Sequence, residues 1–329
     1  MPHGYGRMPD YGARIADKAF NQSVRQIREV YRQAAVELQD KFSDFLGKYE
    51  KKATEMWRKL KKGEITADEY HSWMRGQVFI GKQWKKKIES SVKMIDTANQ
   101  QCAGIIRNGR VSVFAENYNH TAFQMERKLN GAVNFDIYSE QAIARLLKKK
   151  PKMLPEWKIN ERKDYAWNRK KVENAVTQGI IQGESIDQIT SRLVDSLCTQ
   201  NENRMRLFAR TSMTGAQNAG RMEMLRDAED DGITVKKKWL ATLDNRTRDA
   251  HADLDGQTVG VDEPFTVDGM EIMFPGDPSC AFPELVYNCR CTLEYVIEGF
   301  ENHGQRRDQE NDELIDGNIT YRQWKEGKR

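Results

Sequence analysis

The 329-residue chain is 38% hydrophobic and 31% charged, against roughly 45% and a quarter in an ordinary globular protein, so it has length for two or three domains but is rich in polar surface. Its 53 basic and 49 acidic residues leave a formal charge of +4; with acids scattered between the bases, this argues against one large, uniformly basic nucleic-acid surface. No stretch approaches the roughly 20 apolar residues of a membrane span, and residues 1–10 lack the apolar core of a secretory signal, so the expectation is a chain without a membrane anchor that starts in the cytosol.

In chain order, residues 13–46 read as one long helix, with Ile27, Val30, Ala34, Leu38 and Phe42 at helical spacing and Gly47 as its stop. Thr66 and Glu69 have capping-box spacing. From there helix is expected to about residue 130, interrupted near Gly81 and between Gly104 and Gly109, with Trp57, Trp73 and Trp84 as packing anchors. A short helical run follows at 138–147, and Pro151 and Pro155 mark a joint. Further helices are expected over 165–178, from a cap at Ser185 to Cys198, and over 203–230, the last weakened by Gly215 and Gly220 and ended by Gly232.

The texture then changes. Val235, Trp239, Leu240 and Ala241 suit a strand, 246–254 a short helix, and 271–274 and 291–297 further short strands among many Gly and Pro turns. The fold class expected is therefore α+β: a predominantly helical N-terminal region, then a compact C-terminal α/β or β-rich domain of short strands and many turns. The expected organisation is an elongated helical interaction region (1–150), a helical lead-in (151–232), the compact domain (233–299) and a polar tail (300–329), in which Tyr321 and Trp324 would dock locally.

Basic runs occur at Arg58, Lys59, Lys61 and Lys62, at Lys85, Lys86 and Lys87, at Lys148, Lys149 and Lys150, and at Lys236, Lys237 and Lys238. They are either solvated faces or contacts to double-stranded DNA or an acidic protein surface. Cys102 and Cys198 lie alone in helical patterns and read as core. Cys280, Cys289 and Cys291 cluster instead; with His251 they would supply three sulfurs and one imidazole, a tetrahedral set for structural Zn2+. The plainer alternative is a set of buried, hydrogen-bonded packing residues. Three ligands instead of four would favour hydrolytic chemistry, and a metal-dependent hydrolase or nuclease would centre on His251, Asp253, Asp255 and Cys289. The phosphate-binding loop ending in GK[ST], the GxSxG elbow and the HExxH zinc helix are all missing.

The run Trp239-Leu240-Ala241-Thr242 with Asp244, then Arg248-Asp249-Ala250-His251, Leu254-Asp255-Gly256-Gln257, Phe265, Gly269, Pro275-Gly276-Asp277-Pro278 and Asn288-Cys289-Arg290-Cys291 resembles, piece by piece and in order, the C-terminal domain of the phage Mu protein F-like minor head morphogenesis family. The lead-in from Phe208-Ala209-Arg210-Thr211 is similar too, so the resemblance covers about 170–297. It implies a non-enzymatic, low-copy protein of the virion head, built in during procapsid assembly. Its implied partners are the portal, major capsid or scaffold protein, and in some cases packaged or ejected DNA. Trp239, Asp244, Arg248, Asp255, Gly256, Gln257, Gly269, Pro275 and Asn288 then read as structural motif positions that cap turns, while Cys280 falls where the resemblance is looser. The alternative to a head protein or a hydrolase is a soluble nucleic-acid-binding module that never joins particles.

Overall fold

Residues with strong helical periodicity form long helices here because an isolated glycine costs only about 1 kcal/mol in a helix, too little to interrupt one whose flanks are well packed. The computed structural model describes residues 11–79, 82–129, 132–149, 153–154, 161–182, 184, 186–242 and 245–299. Its elements are helices α1 (Tyr11–Lys61), α2 (Ala67–Phe79), α3 (Lys82–Lys128), α4 (Glu140–Lys149), α5 (Glu161–Ile181) and α6 (Ile186–Val194), a π turn (Asp195–Thr199), helix α7 (Gln200–Asp230), strand β1 (Val235–Leu240), helix α8 (Asp249–Asp253), strands β2 (Thr258–Gly260), β3 (Phe265–Val267) and β4 (Met270–Ile272), helix α9 (Pro283–Val286) and strand β5 (Thr292–Ile297). The architecture is a largely helical N-terminal region followed by short antiparallel strands and turns, as the residue pattern indicates. Helix α1 runs on past Gly47, and α3 runs through Gly104 and Gly109, where the sequence suggested breaks. The expected features at Gly81, Pro151, Pro155 and Ser185 and in the tail beyond Gly299, including Tyr321 and Trp324, lie outside the described residues.

The capping box forms as its spacing predicts: the Glu69 N–H donates to Thr66 Oγ1 at 3.2 Å and the Thr66 N–H to Glu69 Oε2 at 2.8 Å, which starts α2. The chain divides into two compact units, each discontinuous in sequence: Val24–Ile105 with Lys158–Arg206, and Met1–Ser23 with Ile106–Trp157 and Leu207–Arg329.

The first of these is all helical. Its core takes Ile27, Tyr31, Ala34, Leu38 and Phe42 from α1, Val92, Ile95 and Cys102 from α3, Val172 and Val176 from α5, and Leu193, Leu197 and Cys198 around the π turn. Tyr31, not the half-buried Val30, is the deep residue of that α1 turn. A buried polar chain crosses this core. The Tyr31 hydroxyl donates to Asn99 Oδ1, Asn99 Nδ2 lies 3.5 Å from Asn201 Oδ1, and Asn201 Nδ2 donates to Asn168 Oδ1 at 3.0 Å and to the Leu197 carbonyl at 2.7 Å. The π turn joins α6 to α7 without the break expected after Cys198, because its extra residue is absorbed within the helix and the Leu197 carbonyl finds a side-chain donor. Trp57 is 48% exposed and carries Lys61 Nζ 5.1 Å from its ring, so it is a surface residue.

The second unit packs β1 between β2 and β5 in an antiparallel sheet of order β2-β1-β5, beside the β3-β4 hairpin. Alternation along β1 turns Val235, Lys237 and Trp239 inward. Asp268 and Gly269, with φ of 50° and 75°, turn the hairpin; positive φ at both central residues is what a tight hairpin of this hand requires. Helix α7 approaches its neighbours through two glycines: a Cβ on Gly215 would lie 2.5 Å from the Gly276 carbonyl oxygen, and one on Gly220 would lie 2.4 Å from that of Phe114 in α3. These glycines do not weaken α7; they let other backbone reach it.

Gly220→Ala is therefore expected to lose about 1–3 kcal/mol of stability by forcing backbone apart, whereas Gly104→Ala, whose new methyl meets nothing within 4 Å, should gain roughly 0.5–1 kcal/mol from helix propensity. Urea unfolding followed by circular dichroism checks both signs.

Candidate functional site

Short-range geometry places the candidate residues around the start of α8 and the segment before β5. Ala241 leaves β1 with its N–H held by Asp255 Oδ1 at 2.8 Å, and Gly256, at φ 84°, donates its N–H to the Trp239 carbonyl at 2.9 Å. Both bonds close the loop carrying α8 back onto β1. The Gln257 side chain acts as a stand-in strand: Nε2 donates to the Thr266 carbonyl at 3.0 Å and Oε1 accepts the Thr266 N–H at 2.9 Å. Trp239 is fully buried, with edge contacts to the His251 ring (centroids 6.0 Å apart) and to Phe265 (5.3 Å). Arg248 precedes α8 and donates to the Tyr287 carbonyl at 2.7 Å; Asn288, at φ 55°, donates its N–H to Thr211 Oγ1 at 3.0 Å. Asp244 lies outside the described residues.

Three of the four candidate ligands meet. His251, Cys289 and Cys291 are all buried, with their ligand atoms within 4.8 Å of one another. His251 Nδ1 lies 3.3 Å from Cys291 Sγ and 3.6 Å from Cys289 Sγ. On the far side of the ring, Nε2 lies 3.2 Å from the Glu284 carbonyl. A carbonyl only accepts, so Nε2 carries the proton and Nδ1 presents its lone pair to the sulfurs, the tautomer that a metal ligand needs. A tetrahedral ion with bonds of about 2.0 Å to nitrogen and 2.3 Å to sulfur sets N···S edges near 3.5 Å; the two observed distances fit. Cys280 takes a different place: its thiol donates to the Glu271 carbonyl at 3.3 Å and accepts the Phe282 N–H at 3.4 Å, and it is not among the three clustered side chains.

The two cysteines are electrostatically unequal. The hydrogen bond from Cys289, aided by the Thr242 N–H, pulls Cys291 below the ordinary thiol range against its burial. Burial, then the neighbouring Cys291, pushes Cys289 well above the ordinary thiol range. A divalent cation would stabilise both thiolates.

What holds Cys289 and Cys291 in place is helix α7, which sequence reasoning read only as a weakened helix. The Thr214 hydroxyl donates to the Cys289 carbonyl at 2.8 Å. Asn218 Nδ2 reaches the Pro275 carbonyl at 3.0 Å and that of Cys291 at 3.2 Å, while its Oδ1 accepts the Leu293 N–H at 2.9 Å. Arg221 Nη1 donates to the Leu293 carbonyl at 2.7 Å. Thr211, Thr214, Asn218 and Arg221 share one helical face, a spacing of polar residues among Ala and Gly that the sequence does display.

The basic runs are dispersed. Lys59 pairs with Glu55 at 3.5 Å, Lys62 with Glu64 at 3.9 Å and Lys236 with Glu298 at 3.6 Å, and Lys87 Nζ donates to the Lys41 carbonyl at 3.2 Å. Arg58, Lys61, Lys86, Lys148 and Lys149 are exposed and Lys238 is half-buried. Lys237 must be removed from the surface set: strand alternation turns it inward, where it is fully buried, donates to the Met273 carbonyl at 2.9 Å and is lowered by burial to about 8. The Lys85 side chain and Lys150 lie outside the described residues. Of the acids offered for hydrolysis, Asp253 is exposed and Asp255 is committed to the Ala241 N–H.

Residues 170–294 match the family described as phage Mu protein F like protein. Minor head protein GP7 of Bacillus phage SPP1 is 30% identical over 223 residues, which cover 66% of this chain and 69% of that protein. The chain belongs to the phage Mu protein F-like family of minor head proteins. Two further relatives match over part of their length. The NAD(+)-arginine ADP-ribosyltransferase EFV of Enterococcus faecalis is 33% identical over 153 residues, 46% of this chain but 30% of that protein, and YqbB of Bacillus subtilis is 36% identical over 131 residues, 41% of its length. The chain thus spans less than half of either relative. No solved structure matches it. None of the described helices is long and apolar enough to cross a membrane.

Because Asn218 serves acceptors and a donor at once, Asn218→Ala should cost about 3 kcal/mol by leaving buried backbone groups unmatched. Amide hydrogen exchange should show lost protection at Leu293; unchanged protection there would contradict this role.

Proposed function

We propose that this chain is a low-copy structural component of a tailed-phage head, incorporated during procapsid assembly and docked on the portal or the inner capsid through its helical region. The observation that carries this reading is the similarity to the SPP1 minor head protein across most of both chains. The fold agrees in kind: helices of 51 and 47 residues offer long charged faces for the portal, major capsid or scaffold protein, and the compact C-terminal fold supplies a fixed end. Packaged DNA would be touched by the exposed members of the basic runs, weakly and with strong salt dependence, since several bases already face carboxylates. Quantitative mass spectrometry of purified procapsids and mature particles, with an empty-capsid control, should find a small reproducible copy number. Absence from both particles would overturn the reading.

Zinc is the ion that suits the His251, Cys289 and Cys291 set, which combines thiolate softness with an imidazole of fixed tautomer. It would clamp the segment before β5 to α8 and add its binding free energy to folding. Cys289→Ser and Cys291→Ser should each abolish bound zinc, seen by atomic emission on the purified full chain, and lower the thermal midpoint by on the order of 10 °C; the wild-type protein purified without zinc should melt like the variants.

A further inference from the structure

Among the described residues, His251, Cys289 and Cys291 are the one group of His, Cys, Asp and Glu side chains gathered closely enough to share an ion. Three protein ligands give a tetrahedral ion three of its four partners. Cys280, the fourth residue suggested by the sequence, is committed elsewhere: its thiol donates to the Glu271 carbonyl and its sulfur accepts the Phe282 N–H. The space beside the three ligands then decides what completes the set.

All three ligands border one recess. Their ligand atoms already stand at the edge distances of a coordination tetrahedron, 3.3 and 3.6 Å from nitrogen to sulfur, so an ion settles among them and the recess is left to its remaining partner. The recess offers about 20 Å³ to the centres of water-sized spheres, and roughly 10–15 Å³ on that measure is enough for one water. Every residue on its border carries a polar side chain or a thiol, and a polar space of this size holds water where an apolar one stays dry. A carboxylate, a phosphate or the carbonyl of a peptide brings several heavy atoms with its oxygen and does not fit.

We propose that a water molecule completes the coordination of the ion at His251, Cys289 and Cys291, in a recess that admits this water and excludes a substrate. The proposal rests on the zinc reading given above and deepens it. Two features usually found apart are combined here: the ligand count of a catalytic centre, three residues and a water, and the closed access of a structural one. The ion can exchange its water but cannot present it to a scissile bond, so the centre clamps α8 to the segment before β5 without hydrolysing anything.

The full chain loaded with cobalt(II) tests each part. Its charge-transfer absorption reports how many thiolates are bound, and its electron paramagnetic resonance broadens when a coordinated oxygen comes from water enriched in the magnetic oxygen isotope. The expected result is absorption from the Cys289 and Cys291 thiolates alone, unchanged in Cys280→Ser, with a resonance that broadens in the enriched water and visible bands that millimolar acetate or phosphate leaves in place. An unbroadened resonance from four-coordinate cobalt would mean a fourth protein ligand and would overturn the proposal while leaving the metal centre standing; loss of one sulfur's share of the absorption in Cys280→Ser would identify that ligand as Cys280. Bands that shift with saturation as acetate or phosphate is added would overturn the exclusion of substrates and reopen hydrolysis. Failure to bind either cobalt or zinc would remove the metal reading and this proposal together.

Discussion

Strand β5 lies at the edge of its sheet, and an edge strand has one row of backbone donors and acceptors with no strand to meet them. Helix α7 supplies that partner with side chains. Asn218 bonds the Leu293 N–H and the Cys291 carbonyl, Arg221 bonds the Leu293 carbonyl, and Thr214 bonds the Cys289 carbonyl. The side-chain row continues ahead of β5 onto the Cys289 and Cys291 carbonyls, which holds the segment from which both sulfurs reach His251. Gly215 and Gly276 allow the close approach, since any Cβ on Gly215 would meet backbone oxygen. The β1 ladder sets the register of β5 itself, and this contact with α7 carries the order on to the cysteine pair ahead of the strand.

The helical unit solves a similar problem within its core. Tyr31, Asn99, Asn201 and Asn168 form a buried polar chain whose members satisfy one another, in a core otherwise made of Ile, Leu, Val and Phe. Such a chain adds little net stability but penalises any helix register that separates its members, because each would then be buried without a partner. The π turn before α7 belongs to the same logic, for it sets Asn201 to face Leu197 and Asn168 together.

The site combines restraint with openness. The Glu284 carbonyl and the Trp239 ring orient His251, and the Cys289–Cys291 pair is tuned by burial, mutual hydrogen bonding and the Thr242 N–H. These are the features of a preorganised ligand set. Among the described residues, Arg246, Arg248 and Arg290 border the recess beside the cluster, and Asp255 is spent on a turn. The family match over residues 170–294 takes in α7 and the strands that it supports.

Sequence alone determined the helical first part, the change to short strands after Gly232, the capping box at Thr66 and Glu69, and the family motif from Trp239 to Cys291, because each rests on local periodicity, turn chemistry or a run of ordered residues. It overestimated Gly47, Gly104 and Gly109 as breaks, since local cost is small beside the packing of a long helix. Only the tertiary structure decided that Cys280 bonds elsewhere while His251, Cys289 and Cys291 converge, that Lys237 is buried in the middle of a basic run, and that Gly215, Gly220 and Asn218 make α7 the support of the site. Those outcomes depend on which backbone lies against which face, and residues some 75 positions apart, such as Asn218 and Leu293, reveal that relation only once the chain has closed on itself.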